Sequence, residues 1–306
     1  MQVRPIRRRV VAVAAALTAT LMVAGPSAPV AAAPVAAAEA DGYWLVGADG
    51  GVFSFGSAPF LGSAAGISSR PVVDIAKTRS GRGYWLVAND GGIFTFGDAP
   101  FLGSLPGRPD LPQGETVVAI ASSQLFGDGY YLVTASGAIF TFGSAPFFGA
   151  PASGRVPHPI VDFGLTPSGH GYWALDVAGG IYAYGDAPPL EIPEIDPSRA
   201  PAGDRRIALE PWSSASVHVM SIGGGVFTAS TSPNTGFFYG ATGDTGRPMT
   251  DLASCACSGY YQVDADGTVH PHGDARYLGS VFDVLGGRRA AAPVVALLAS
   301  GPGREL

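Results

Sequence analysis

Residues 71–104 read PVVDIAKTRSGRGYWLVANDGGIFTFGDAPFLGS. Within that stretch PVVDIA, GYWLV, GIFTFG and APFLG are short runs of β-branched, aromatic and small apolar residues, each bounded by Gly, Pro, Asp or Ser. Such runs predict strands. Apolar residues stand on both alternating faces, so each small sheet is expected to be covered on both sides. Asp90-Gly91 marks a hairpin, because a tight connection needs a positive φ that Gly adopts without strain.

The same unit recurs along the chain. GYWLV appears at Gly42 and Gly83, then as GYYLV at Gly129, GYWAL at Gly171, SVHVM at Ser216 and GYYQV at Gly259, with spacings of 41, 46, 42, 45 and 43 residues. Each copy is followed by a turn and a second run, from GGVFSFG at Gly50 to GTVHPHG at Gly267. A third run, APFLG at Ala58 and Ala99 and APFFG at Ala145, degrades to APPLE at Ala187 and ARYLG at Ala275; in the fifth copy it slips to GFFYG at Gly236. A fourth run precedes all copies except the first: PVVDIA at Pro71, VVAIA at Val117, PIVDFG at Pro159, RIALE at Arg206 and PMTDLA at Pro248. The run missing from the first copy stands at the other end of the chain, as PVVALLA at Pro293.

Four strands in every ~45 residues, repeated radially, predict an all-β chain, a six-bladed β-propeller of four-stranded blades. It is closed by pairing of the C-terminal strand, Pro293 to Ala299, with the first blade. An open solenoid would instead need polar capping repeats.

The repeat resembles one found in secreted actinobacterial proteins, often attached to envelope-active domains. The pattern PVVxIAxTxxGxGYWLVxxDGGIFxFGDAPFxGS carries the resemblance, over residues 41–306 and most clearly in copies one to four. Copy five departs from it, with Val217-His218 in place of Tyr-Trp. More distantly, the order VVxIA, DGxVFxFG, xLG is similar to regulator-of-chromosome-condensation-type repeats. Functions vary widely among such proteins, so the resemblance implies shape rather than chemistry.

Residues 1–38 are expected to be a signal peptide and 39–306 the propeller. Arg4, Arg7, Arg8 and Arg9 precede an uncharged run from Val10 to Val23 and a small-residue tract ending Ala36-Ala37-Ala38, the order of a secretory leader. The apolar run is shorter than the roughly 20 residues a spanning helix needs, so no membrane span is expected after cleavage. Cleavage leaves 14 basic and 24 acidic residues, a net charge of -10. That balance excludes the concentrated positive charge of a nucleic-acid binder. Lys77 is the only lysine, and the Ala, Gly, Pro and Arg bias fits a high-G+C, actinobacterial source.

No G-x-S-x-G, H-E-x-x-H, Walker loop or C-x-x-C occurs. The candidate sites therefore come from the repeat. Asp74, Asp162 and Asp251 share one position of the fourth-type strand, where the other three blades carry Ala119, Ala208 and Ala296. If this strand lines the axis, three carboxylates converge on a central channel, where they could hold a divalent cation or engage in local hydrogen bonds. Each inter-blade linker carries an arginine: Arg70, Arg108, Arg155, Arg205, Arg247 and Arg288. These are expected on the face of the Asp-Gly hairpins, as a ligand-binding rim for an anionic glycan or a partner's carboxylates.

His270 and His272 replace an aromatic pair in the sixth copy, either as packing substitutes or as metal ligands with Asp264. The paired aromatics such as Phe94/Phe96, and Trp44, Trp85 and Trp173, are expected in the core rather than on a sugar-stacking platform. Cys255 and Cys257, the only cysteines, either close a local disulfide or remain thiols.

The reading that follows is a secreted or cell-surface, monomeric, non-catalytic propeller that binds a cell-wall glycan or an envelope protein. The rival is a polysaccharide hydrolase or lyase with Asp74, Asp162 or Asp251 at the channel mouth. Carboxylates clustered with a neighbouring His or Arg in a deep axial pocket would favour the rival.

Overall fold

The computed structural model describes residues 41–108, 114–123, 127–151, 156–192, 205–231, 246–255 and 257–301. The expected leader, residues 1–38, and Arg155 lie outside these residues.

The first repeat supplies β1 (Gly42–Gly47) and β2 (Val52–Gly56), and the second β3 (Val72–Lys77), β4 (Gly83–Ala88) and β5 (Ile93–Gly97). The third forms β6 (Val117–Ser122), β7 (Gly129–Thr134) and β8 (Ile139–Gly143), and the fourth β9 (Ile160–Leu165), β10 (Gly171–Asp176) and β11 (Ile181–Gly185). The fifth gives β12 (Arg206–Ser213), β13 (Ser216–Ser221) and β14 (Val226–Ser230), and the sixth β15 (Met249–Ser254), β16 (Gly259–Asp264) and β17 (Val269–Gly273). A short helix, α1 (Val281–Val284), and a last strand, β18 (Val294–Ala299), follow.

The described strands form six antiparallel three-stranded sheets. Five are consecutive in sequence. The sixth has the order β18-β1-β2, with Tyr43 opposite Ala299 and Val46 opposite Ala296. The N-terminal strand thus takes its inner neighbour from the far end of the chain. The innermost strands touch in succession, β18 to β3, β6, β9, β12 and β15, and β15 touches β18 in turn.

Each middle strand is buried along nearly its whole length, which is why GYWLV and its variants carry no outward polar face. The hairpins behave as the Asp-Gly pairs predict. At Gly50 φ is +82°, and a Cβ there would stand 2.8 Å from the Cβ of Ala64, so both backbone and packing require glycine.

The expectation of four-stranded blades is corrected. Among the described residues, the third run of the first four repeats and of the sixth is not a strand but an irregular strap, and that of the fifth, at Gly236, lies outside those residues. In four of them proline contributes, since Pro59, Pro100, Pro146 and Pro188 have no N–H to give to a ladder; the sixth has Arg276 at that place. Aromatic side chains of the middle strands take over the role of the ladder. The indole N–H of Trp44 donates to the carbonyl of Pro59, 2.8 Å, Trp85 does so to Pro100, 2.8 Å, and Trp173 to Pro188, 2.9 Å; the Tyr131 hydroxyl donates to Pro146, 2.9 Å.

The tyrosine that precedes each of these residues reaches the strap of the preceding repeat. Tyr84 donates to the carbonyl of Gly62, 2.6 Å, and accepts from the amide of Leu61, 3.2 Å. Tyr172 does the same with Gly149 and Phe148, and Tyr43 with Gly279 and Leu278. A Tyr-Trp dipeptide therefore stitches two straps, its own and its neighbour's. In the fifth repeat Val217-His218 stands in its place, and Val217 has no hydroxyl with which to reach the neighbouring strap.

Candidate functional site

The inner strands converge on an axial cavity of ≈ 330 Å³. Every one of them carries a bulge at the same place. The register skips between Val72 and Asp74, Val117 and Ala119, Ile160 and Asp162, Arg206 and Ala208, Met249 and Asp251, and between the partners of Val46 and Gly47 in β18. Bulges bend a strand and re-aim the residues beside them. Here the residue after the bulge is Asp or Ala, and the amide that follows it needs an acceptor other than its own ladder.

The carboxylates supply that acceptor. Asp74 takes the amide of Ile75 on Oδ1, 2.7 Å, and the amide of Ile120 in the next sheet on Oδ2, 2.8 Å. Asp162 takes Phe163, 2.7 Å, and Leu209, 2.6 Å; Asp251 takes Leu252, 2.7 Å, and Leu297, 2.7 Å. One carboxylate has two oxygens, so three carboxylates serve six amides. The alternation of Asp with Ala follows from this stoichiometry.

Each Asp keeps some accessible surface because it faces the cavity, but the cavity is walled by protein. Burial pushes the Asp74 carboxyl up to about 7, against the pull of the two amides it accepts from. Burial and the charge of the other axial carboxylates drive Asp162 and Asp251 well above the usual carboxylate range. The three repel one another when charged, which, with burial, favours their protonated forms.

Lys77 and Glu210 line the same cavity. The Lys77 ammonium donates to the carbonyl of Ala299, 3.0 Å, and to that of Gly301. Burial lowers its pKa, and the charge of Glu210 partly restores it. Glu210 accepts the amide of Ser254, 3.1 Å, and burial raises its carboxyl to about 7 against that bond and the charge of Lys77. Both side chains, like the three aspartates, tie one inner strand to its neighbour.

The axial carboxylates thus cluster, but no His or Arg is among the described residues lining the cavity. Among the described residues no group of three or more His, Cys, Asp or Glu is arranged to hold a metal ion. This includes Asp74, Asp162 and Asp251, whose oxygens face amides, and also His270, His272 and Asp264. Asp264 accepts from the amides of Asp266 and Thr268, 3.0 Å each, with His270 Nε2 3.5 Å away. His272 stacks on Tyr260 with ring centroids 4.8 Å apart, as a packing substitute would.

Four of the linker arginines make side-chain contacts within the protein. Arg70 lies 3.9 Å from Asp90, and Arg247 lies 3.8 Å from Asp264 and 3.0 Å from Asp266. The Arg108 guanidinium sits over the Phe140 ring, 5.3 Å from its centroid, and Arg288 donates to the carbonyl of Leu285, 3.2 Å. Arg205 holds the amide of Ile222 through its own carbonyl, 2.9 Å. Two of these arginines, Arg70 and Arg247, thus stand beside acids of the hairpins. Cys255 and Cys257 form a disulfide with Cα atoms 5.0 Å apart.

The sequence pattern pointed to the carboxylates but not to Lys77, Glu210 or the tyrosine hydroxyls. Lys77 stands out in the sequence as the one lysine but with nothing to show its role, and Glu210 as a charged residue inside an apolar strand.

No family model matches the chain, and no curated protein does. Among solved structures, a chain in the crystal structure of a nidogen/laminin complex superposes with a TM-score of 0.56 at 10% identity, over 85% of this chain and 98% of that one. A chain of YCF48 bound to D1 peptide superposes at 0.47 with 13% identity, over 80% and 78%. At such identities a likeness shows the fold alone, and together with the six repeated sheets the fold is a β-propeller.

Proposed function

We propose that this chain is a secreted or cell-surface β-propeller that acts as a non-catalytic binding module at the cell envelope. Six blades close into a ring through β18 and β1, and the partner is a cell-wall glycan or an envelope protein. The leader-like order of residues 1–38 supports export, and the resemblance to secreted actinobacterial repeats supports the envelope setting.

One observation carries the preference for binding over catalysis. A hydrolase or lyase at the axis would need a carboxylate free to exchange a proton with substrate. Asp74, Asp162 and Asp251 each hold two amides of adjacent inner strands instead. Their arrangement is that of a structural hub. The superposed chain above comes from a nidogen/laminin complex, which agrees with a propeller that works by docking.

The test is retention of the chain from residue 39 onward on purified cell-wall polymer and, separately, on immobilised envelope proteins. Retention on either with no release of reducing or unsaturated sugar is the expected result. Depolymerisation that disappears in Asp162→Asn would replace this reading with the enzymatic one.

A further inference from the structure

Four aromatic rings lie on the outside of the wheel, each at the same place in its strap. Phe60 is 61% exposed, Phe101 61%, Phe147 59% and Tyr277 51%. Their blades are consecutive in the ring: the sixth, first, second and third. The fourth strap carries Pro189 at that place.

These rings are presented on backbone that the core holds still. The residue before Phe60 is anchored by the Trp44 indole, and the two residues after it by the Tyr84 hydroxyl. Phe101 has the same support from Trp85 before it and Tyr130 after it, and Phe147 from Tyr131 and Tyr172. An aromatic side chain with only two rotatable bonds on a fixed backbone loses little entropy when it is covered.

We infer that this arc is a track for a linear neutral glycan, with sugar faces stacking on Phe60, Phe101, Phe147 and Tyr277. The inference rests on the binding-module reading and names its ligand class and surface. Three features of the structure select the occupant. An added peptide strand pairs through main-chain groups, but the carbonyl before each phenylalanine and the carbonyl two residues after it already bond to Trp or Tyr side chains, which leaves the ring face as the principal contact. Successive blades turn by roughly 60° in a six-bladed ring, so no flat rigid surface meets more than two of the rings, whereas a flexible chain of repeating units follows them. The net charge of -10 after removal of residues 1–38 opposes a polyanion.

The experiment titrates the chain from residue 39 onward with neutral oligomers of glucose and of N-acetylglucosamine, two to twelve units long, by calorimetry. Wild type is expected to bind, with affinity rising again once an oligomer is long enough to reach a second ring. Each of Phe60→Ala, Phe101→Ala and Phe147→Ala should weaken the longest oligomers about two- to tenfold, and the triple variant should lose binding while keeping the wild-type melting temperature.

No binding of any oligomer by wild type, or equal binding by the triple variant, overturns the inference. Capture of proline-rich peptides in place of glycans by the same rings overturns it in favour of a peptide track. The two readings fail separately: envelope retention that survives in the triple variant sinks the track and leaves the binding module, whereas loss of retention in wild type sinks the module.

Discussion

Oδ2 of Asp74 accepts the amide of Ile120, 46 residues away, at 2.8 Å, and so joins the inner strands of two neighbouring blades. The same link recurs from Asp162 to Leu209 and from Asp251 to Leu297. Asp162→Ala leaves two amides at the axis without acceptors, at a cost of about 1–3 kcal/mol each. Asp162→Asn retains one acceptor oxygen and turns a donor toward the other amide, so about half of that loss is expected. Denaturant titrations of both variants check the order. Equal stability in all three proteins would show that cavity water satisfies the amides unaided.

The axial carboxyls set the pH profile of stability. The folded-state values of Asp74 and Glu210 are raised to about 7 and those of Asp162 and Asp251 are also raised, whereas in the unfolded chain such groups titrate near ~4. Between these limits the folded state holds protons that the unfolded state has released, so stability is full below ~4 and declines as pH rises through about 7. Asp98, held low by the Ser80 hydroxyl, acts in the opposite sense at the acid end, and His272, whose pKa burial lowers, opposes the trend nearer neutrality, one group against four. The melting temperature should therefore fall by at least ~2–4 °C from pH 5 to pH 8. A rise over that range would contradict the assignment.

The disulfide should matter little to global stability. Cys255 and Cys257 are two positions apart, and a loop that small restricts the unfolded chain by only about 1.6 kcal/mol in the chain-entropy account. Reduction, or the double change Cys255→Ser with Cys257→Ser, should lower the melting temperature by a few degrees without loss of cooperativity. A collapse of the whole ring on reduction would show that the bridge holds more than its own loop.

Much of the architecture was readable in the sequence because a propeller repeats its instructions. Six copies of Gly-Tyr-Trp-like strands gave the number of sheets, and the displaced run at Pro293 predicted that β18 would pair with β1. The straps were misread because APFLG has the composition of a strand, while its pairing depends on amides that proline lacks and on Trp and Tyr side chains from elsewhere in the chain. The axial aspartates stood out by periodicity. Their role did not, because it depends on bulges that only become visible once the register is known. The arginines were legible as a set, yet the partners of Arg70, Arg108 and Arg247 were not, because they are acids or a ring contributed by residues about twenty or more positions away.

The seam between the last blade and the first is where the ring is most open to test. The Tyr43 hydroxyl donates to the carbonyl of Gly279, 2.6 Å, and accepts the amide of Leu278, 3.3 Å, while β18 supplies the inner edge of β1 and, through Leu297, the second amide of Asp251. Tyr43→Phe removes one donor and one acceptor from a buried junction and should cost about 1–3 kcal/mol, close to the effect of Tyr172→Phe at an internal seam. Ending the chain at residue 290 is far more severe. It exposes a full edge of β1, a strand otherwise buried along its whole length, and leaves Asp251 with half its partners. Such a chain should fail to give a cooperative melting transition, and a synthetic peptide of residues 291–301 added in excess should restore one by mass action. A truncated chain that melts like the intact one would mean that the first sheet stands without its third strand and that the ring does not depend on this closure.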